Sequence, residues 1–302
     1  MESANVSKKG NFLFSNEAKN QIRIRTVAQQ DMALIDHLAS NAAFRHRHAD
    51  WFQIEDWIGS ETFVMGKHTN GNQGTLVVTA EPAPAAWVRF VAVERSGVNR
   101  NHAYHLLHAM FDEVTSLLKE DDITEVGWMS QLRWSDSWIT HIGFEQISSM
   151  ITFGKEDFEM PTLPNPDIFI RPAFPEDLRH LAAIEEKTYD PLWRQSARGL
   201  HFGWRESMSF DIAMLNNRFV GFQHSTRHDD TAHLARLTVH PDFQGHGIGS
   251  TLLGHAIRHY QRAGIRTMTL NTQHENEGAQ RLYKRFGYAR TGFDIPLWHY
   301  VL

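Results

Sequence analysis

The most chemically loaded stretch of this 302-residue chain runs Leu237-Thr238-Val239-His240-Pro241-Asp242-Phe243-Gln244-Gly245-His246-Gly247-Ile248-Gly249-Ser250. Extended apolar residues stop at Val239, three alternate glycines follow, and from Ile248 the apolar positions recur at helical spacing. Glycine lacks the Cβ that keeps a ligand off the backbone, so successive N–H groups can converge on an anion. The start of a helix adds the positive end of its dipole, and the expected ligand is a diphosphate. Two other phosphate loops fit less well. A P-loop needs a lysine before its Ser/Thr, whereas Gly249 directly precedes Ser250. A dinucleotide fold has a different glycine spacing and an acidic residue closing the next strand, where Leu270 and Asn271 stand instead.

A second cluster follows in Asn276-Glu277-Gly278-Ala279-Gln280-Arg281-Leu282-Tyr283-Lys284-Arg285-Phe286-Gly287-Tyr288. Ala279, Leu282 and Phe286 form the apolar stripe of a short helix, and Gly287 is a favourable stop. Tyr283 lies beside that stripe. A phenol with a pKa near ~10 stays protonated at neutral pH and can meet a departing thiolate, whose conjugate acid has a pKa near ~8.5.

Gln244, Gly247 and Gly249 complete the pattern Gln/Arg-x-x-Gly-x-Gly/Ala, and with the helix after it residues 168 to 300 resemble the GNAT superfamily of acyl-CoA N-acyltransferases. The resemblance implies that Leu237, Thr238, Val239, Gln244, Gly245, His246, Gly247, Ile248, Gly249, Ser250 and Asn276 bind acetyl-CoA, the co-substrate. It implies that the Val239 amide meets the acetyl oxygen and that Tyr283 is the general acid. The implied reaction is acetyl transfer to an amine of a small molecule or peptide by direct attack on the thioester, with no metal. Many family members place a glutamate on the strand that here carries Ala235 and Arg236, so the base is left among His233, Glu185 and Glu186. An acyl-CoA-binding sensor or scaffold without turnover is the other reading, and the missing strand carboxylate is its support. Trp193, His201, Phe202 and Trp204 stand where the family's acceptor-binding segment lies, and Arg281, Lys284 and Arg285 are cations near the expected phosphates.

The elements that must hold these residues occur twice. Ile22-Arg23-Ile24-Arg25 precedes Met32, Leu34, Ile35 and Leu38, and Ile168-Phe169-Ile170-Arg171 precedes Leu178, Leu181 and Ile184, each a strand and then an amphipathic helix. Trp87–Val93 then matches Leu234–Val239, and Gly143-Phe144 matches Gly287-Tyr288, always at an offset of roughly 146 residues. The expected fold is α/β with a mixed sheet, made of two tandem GNAT-like units in the layout of tandem members such as mycothiol synthase. Its parts are a flexible arm at 1–21, a degenerate unit at 22–158, a linker at 159–167 around Pro161, Pro164 and Pro166, and a catalytic unit at 168–302. The first unit has one glycine, Gly97, where the second has three, and Ile139 in the place of Tyr283. It therefore reads as a non-catalytic half that shapes the acceptor cleft or braces the active half.

Composition narrows the setting. No apolar run approaches the ~20 residues that span a bilayer, and the polar N-terminus does not read as a secretory signal. Cysteine is absent, which removes disulfides, thiolate metal sites and a cysteine nucleophile, and makes the cytoplasm the expected location. A net charge of -5 gives no general reason to bind nucleic acid. The 19 histidines include His255 and His259 one turn apart and His102, His105 and His108 at three-residue steps, but no glutamate completes a zinc-protease pattern and no metal is expected.

Overall fold

A computed structural model describes residues 21–95, 100–132, 134–163 and 167–302. Residues 1–20 of the expected arm, Gly97 and the two prolines Pro164 and Pro166 lie outside the described residues.

The first half runs β1 (Ile22–Thr26), α1 (Met32–Asn41), β2 (Phe44–Arg47), β3 (Phe63–His68), β4 (Gln73–Thr79), β5 (Ala85–Val93), α2 (Arg100–Glu120), β6 (Glu125–Met129), α3 (Asp136–Ile142) and β7 (Glu145–Lys155). The second runs β8 (Phe169–Pro172), α4 (Leu178–Thr188), α5 (Ala197–Glu206), β9 (Ser209–Leu215), β10 (Arg218–His228), β11 (Thr231–Val239), α6 (Ile248–Arg262), β12 (Thr267–Gln273), α7 (Glu277–Arg285) and β13 (Ala289–Val301). The duplication extends to side chains. Arg25 reaches Asp31 at 2.6 Å while Asp31 accepts the Ala28 amide, and Arg171 reaches Asp177 at 2.7 Å while Asp177 accepts the Phe174 amide. In both halves one carboxylate thus ties the end of the first strand to the start of the first helix. Gly143 and Gly287, both at positive φ, close α3 and α7 in the left-handed conformation that a side chain disfavours.

All strands join one sheet in the order β1-β3-β4-β5-β6-β13-β7-β12-β11-β10-β9-β8, with β2 paired to β5 off this path. The order is palindromic about its centre, and the two halves have exchanged their last strands. β13 pairs with β6 of the first half, β7 pairs with β12 of the second, and the two exchanged strands pair with each other. Among the described residues only β5–β6 and β11–β12 are parallel, each joined by a long crossover helix, α2 or α6. The α2 face of the first half buries Leu106, Leu107, Met110 and Val114 against Leu76, Val88 and Trp128, while α1 covers the opposite face with Ile35 and Leu38. In the second half α6 buries Leu252, Leu253, Ala256, Ile257 and Tyr260, and α4 and α5 cover the other face with Leu181, Ile184 and Leu200. No helix among the described residues is long and apolar enough to cross a membrane.

Candidate active site

Two parallel strands that diverge create the site. β11 and β12 pair only over Thr231–Leu234 and Thr267–Leu270, while the other edge of β12 stays paired with β7 as far as Gln273. The divergence starts at an irregularity in β11: its register against β10 jumps between Leu234 and Arg236, leaving Ala235 as an extra residue, and a bulge of this kind sharpens local twist. Beyond it the edge of β11 is open. His240 donates its amide to Val220, so the Val239–Gly221 and Leu237–Gln223 pairs are the non-bonded kind, and the Leu237 and Val239 amides point away from β10 into the gap.

The first half has the same parallel pair, and there the gap is closed. β5 and β6 pair over Ala85–Trp87 and Glu125–Gly127, and beyond that point β2 runs antiparallel along the freed edge of β5, from Phe44 opposite Val93 to Arg47 opposite Phe90. Leu192 from the second half seals the mouth, its carbonyl accepting the Trp87 indole N–H at 2.9 Å. A Cβ on Gly127 would stand 2.8 Å from Trp87 and 2.9 Å from Leu192, so no space is left there. Ile139 is wholly buried in the core.

At the end of β11 the chain turns through Gly245 and Gly247, whose φ values of +79° and +81° make glycine the fitting residue at both. Gly247 caps α6, and Thr251 is the first amide to find a helical carbonyl, that of Gly247. The amides of Ile248, Gly249 and Ser250 precede it and have no carbonyl one turn behind. Gln244 pins the loop by donating to the Val239 carbonyl at 3.1 Å, and Arg285 on α7 donates to the Ser250 hydroxyl, bringing a cation to the helix start. Gly249 works differently. A Cβ there would lie 3.4 Å from Leu282, ordinary contact, so its place in the turn is one of access rather than backbone strain.

A groove of about 1330 Å³ runs along this turn and is lined by Leu237, Val239, Gln244 through Ser250, Asn276 and Tyr283. Ten of the eleven residues expected to bind the co-substrate therefore share one wall with the expected acid. Thr238 is the exception. Alternation along β11 turns it to the opposite face, where it is buried and donates to Glu185 at 2.6 Å. Asn276 caps α7 by accepting the Ala279 amide at 3.0 Å, so its presence is explained by capping as well as by the groove. Of the three cations on α7, Arg281 and Arg285 line the groove and Lys284 does not.

A second cavity, of about 310 Å³, opens on the other side of Tyr283. Both halves build it: His48, Asp50, Trp51, Trp87 and Arg89 come from the first, Trp193, Arg194, His233 and Arg236 from the second. Tyr189, Trp193, Leu237, Gln273, Asn276, Ala279 and Tyr283 line both spaces and form the wall between them. Tyr283 is almost fully buried, and that burial pushes its phenol well above the usual range. Neighbouring Tyr189, also raised by burial, donates to the Leu237 carbonyl at 3.3 Å, with the Arg236 guanidinium 4.2 Å over its ring. Burial lowers the His233 imidazole below its ordinary value, and its Nδ1 lies 2.9 Å from the Thr269 hydroxyl.

Glu185 and Glu186 part company. Glu185 is wholly buried, held by Arg236, by Thr238 and by the Gln195 amide, whereas Glu186 is exposed and lines neither space. Of the aromatic residues expected to hold an acceptor, only Trp193 faces a cavity. Phe202 packs on Phe52 of the first half at 4.6 Å, Trp204 donates its indole N–H to Ala173, and His201 is exposed, because α5 serves as the brace between the halves. Sequence reasoning missed Tyr189, Asp50, Trp51, Trp87 and Arg89; the last four lie more than a hundred residues from His233 and Tyr283, with which they share a cavity, and no local pattern announces them. Among the described residues no group of three or more His, Cys, Asp or Glu is placed to hold a metal ion.

A parallel pair that splays apart occurs in both halves, and only in the second is the gap open, with a glycine turn at its mouth. The acetyltransferase (GNAT) family model matches residues 178–288, most of the second half of the chain. The chain is 32% identical over 98 residues to an uncharacterised N-acetyltransferase of Methanocaldococcus jannaschii, covering 29% of this chain and 43% of that one. It is 31% identical over 94 residues to a mycothiol acetyltransferase of Actinosynnema mirum, covering 30% of this chain and 32% of that one. The chain thus spans less than half the length of these two curated relatives. A solved tandem GNAT protein from the clavulanic acid biosynthesis pathway superposes with a TM-score of 0.56 at 14% identity, covering 93% of this chain and 98% of that one, which gives the two-unit fold to nearly the whole length.

Proposed function

We propose that the chain transfers the acetyl group of acetyl-CoA to an amine. The observation that carries this reading is the shared wall: Tyr283 stands between a groove ending at unpaired helix amides and a cavity closed by the first half. The groove passes a test of fit for the co-substrate, since two positive-φ glycines, the unpaired amides of Ile248, Gly249 and Ser250, and Arg285 converge where a diphosphate would need donors.

Each residue then has a task. The Leu237 and Val239 amides, fixed in the open edge of β11, face the space in which the acetyl carbonyl would develop negative charge, and pre-aligned donors stabilise that charge without reorganising. His233 accepts the proton that the attacking nitrogen must lose, directly or through water; its lowered pKa keeps it neutral and able to do so. The N–C bond forms as the C–S bond breaks, and the departing thiolate takes a proton or a hydrogen bond from Tyr283. Magnitudes favour the hydrogen bond as the larger share. Even an unshifted phenol near ~10 lies about 1.5 units above a thiol near ~8.5, so full transfer is uphill by about 2 kcal/mol. Burial raises that further, and the nearby Arg236 charge offsets part of it.

Thiol release from acetyl-CoA, read with a colorimetric thiol reagent across amines, amino acids, peptides and aminosugars, tests the reading. At least one amine should accelerate release and gain an acetyl group by mass. Release that no acceptor accelerates, from protein that binds CoA, would leave a non-catalytic acyl-CoA sensor.

A further inference from the structure

The charges around the smaller cavity pair off with one exception. Asp50 holds Arg89 at 2.9 Å, Glu81 holds Arg198 at 3.4 Å, and Glu185 holds Arg236. Arg194 lines the same cavity, spends only its Nε on the Tyr189 carbonyl at 2.8 Å, and meets no carboxylate among the described residues. Beside it, Gln195 and His48 line this cavity, and among the described residues Gln195 Oε1 and His48 Nδ1 are buried without a hydrogen-bond partner. A guanidinium that lines a cavity and meets no carboxylate there points to an anionic ligand that answers it. One part of the wall is apolar, formed by Trp51, Trp87, Trp193, Met129 and Met150.

We propose that the acceptor is a small amino carboxylate with an apolar or aromatic body, its carboxylate held by Arg194. This rests on the acetyl-transfer reading above for the fate of its amine, but not for its binding. The guanidinium is the natural partner for a carboxylate because two parallel N–H donors match two oxygens. The aromatic wall takes the hydrophobic body, and the amine is left to face Tyr283 and His233. At about 310 Å³ the cavity sits at the lower end of ligand-site sizes and is roofed by the first half, which suits a free small molecule rather than a chain terminus.

The test is calorimetric titration of phenylalanine, leucine and methionine into the full chain with and without saturating CoA, beside their decarboxylated counterparts phenethylamine, isopentylamine and 3-methylthiopropylamine. At least one amino carboxylate should bind about ten- to a hundredfold tighter than its amine, the size of a charge-assisted pair. Arg194→Gln, checked for unchanged thermal unfolding, should erase that preference, and Arg194→Lys should restore part of it. In turnover the same variant should raise KM for the amino carboxylate far more than it lowers kcat. Amines binding as tightly as their carboxylates, or a preference that survives in Arg194→Gln, would overturn the proposal. Protein that binds the amino carboxylate but transfers no acetyl group would keep this inference and defeat acetyl transfer instead.

Discussion

In the proposed reaction Tyr283 and His233 divide the proton traffic of the site, and each division has a kinetic signature. Tyr283→Phe removes one hydroxyl from a buried wall and leaves the packing against Phe153 and Tyr288 in place. Turnover should fall by roughly 10²–10⁴ while CoA affinity stays within a factor of a few, measured by steady-state kinetics and calorimetry. An unchanged kcat would remove the phenol from the mechanism. For His233 the neutral form is the active one, and burial moves its pKa down from ~6.5. Activity should therefore hold as pH falls through 6.5 and be lost only below it, and His233→Gln should abolish that acid limb. The residues themselves were partly legible. Gly247 announces the turn because positive φ restricts what can stand there, whereas Tyr283 was singled out by the family resemblance and not by its place beside an apolar stripe. Thr238 was not separable from Leu237 and Val239 by sequence, since only the register against β10 decides which side chains of β11 face the groove.

At the level of elements, the exchange of β7 and β13 makes each half depend on the other. β12 has its outer edge covered by β7, and β6 has its edge covered by β13. Separate fragments 22–158 and 168–302 should each lose a central strand partner, leave apolar edges open, and aggregate or stay unfolded, while mixing them on refolding should recover native circular dichroism. Two fragments that are each monomeric and cooperatively folded would contradict this. The repeat was visible in Ile22–Arg25 and Ile168–Arg171 because local strand-to-helix changes of period leave a trace in sequence. The exchange left none. β7 and β13 read as final strands of their own halves, and only pairing across the whole chain sets their neighbours. The closure of the first half was equally hidden, because the four residues Phe44–Arg47 are too short a run to signal a strand, yet they fill the edge that stays open in the second half.

Across the whole molecule, three buried histidines should make stability depend on pH, and one of them, His224, packs against the other half. His46 is lowered to about 4, His224 to about 3, and His48 falls well below its ordinary value, all by burial. His224 packs between Phe210 at 4.9 Å and Trp51 of the first half at 4.7 Å, and neither ring nitrogen has a partner. Above ~6.5 these groups are neutral folded or unfolded and contribute nothing. Below it the unfolded chain binds protons that the folded chain excludes, so stability falls by up to about 1.4 kcal/mol per pH unit for each histidine. Urea unfolding at pH 7 and pH 5.5 should show a marked loss, and His224→Leu should make it shallower; equal stability at both values would refute the assignment. The claim on which the remaining chemistry depends is that the helix start at Gly247 holds the diphosphate of CoA, and its most direct measurement is calorimetric titration of CoA into the full chain and into Gly247→Ala. The expected result is one site per chain in the native protein and an affinity at least about tenfold weaker in the variant, whose side chain must adopt a φ that costs ~1–2 kcal/mol in a turn the ligand needs intact. No heat with the folded native chain, or equal affinity in both, would contradict it.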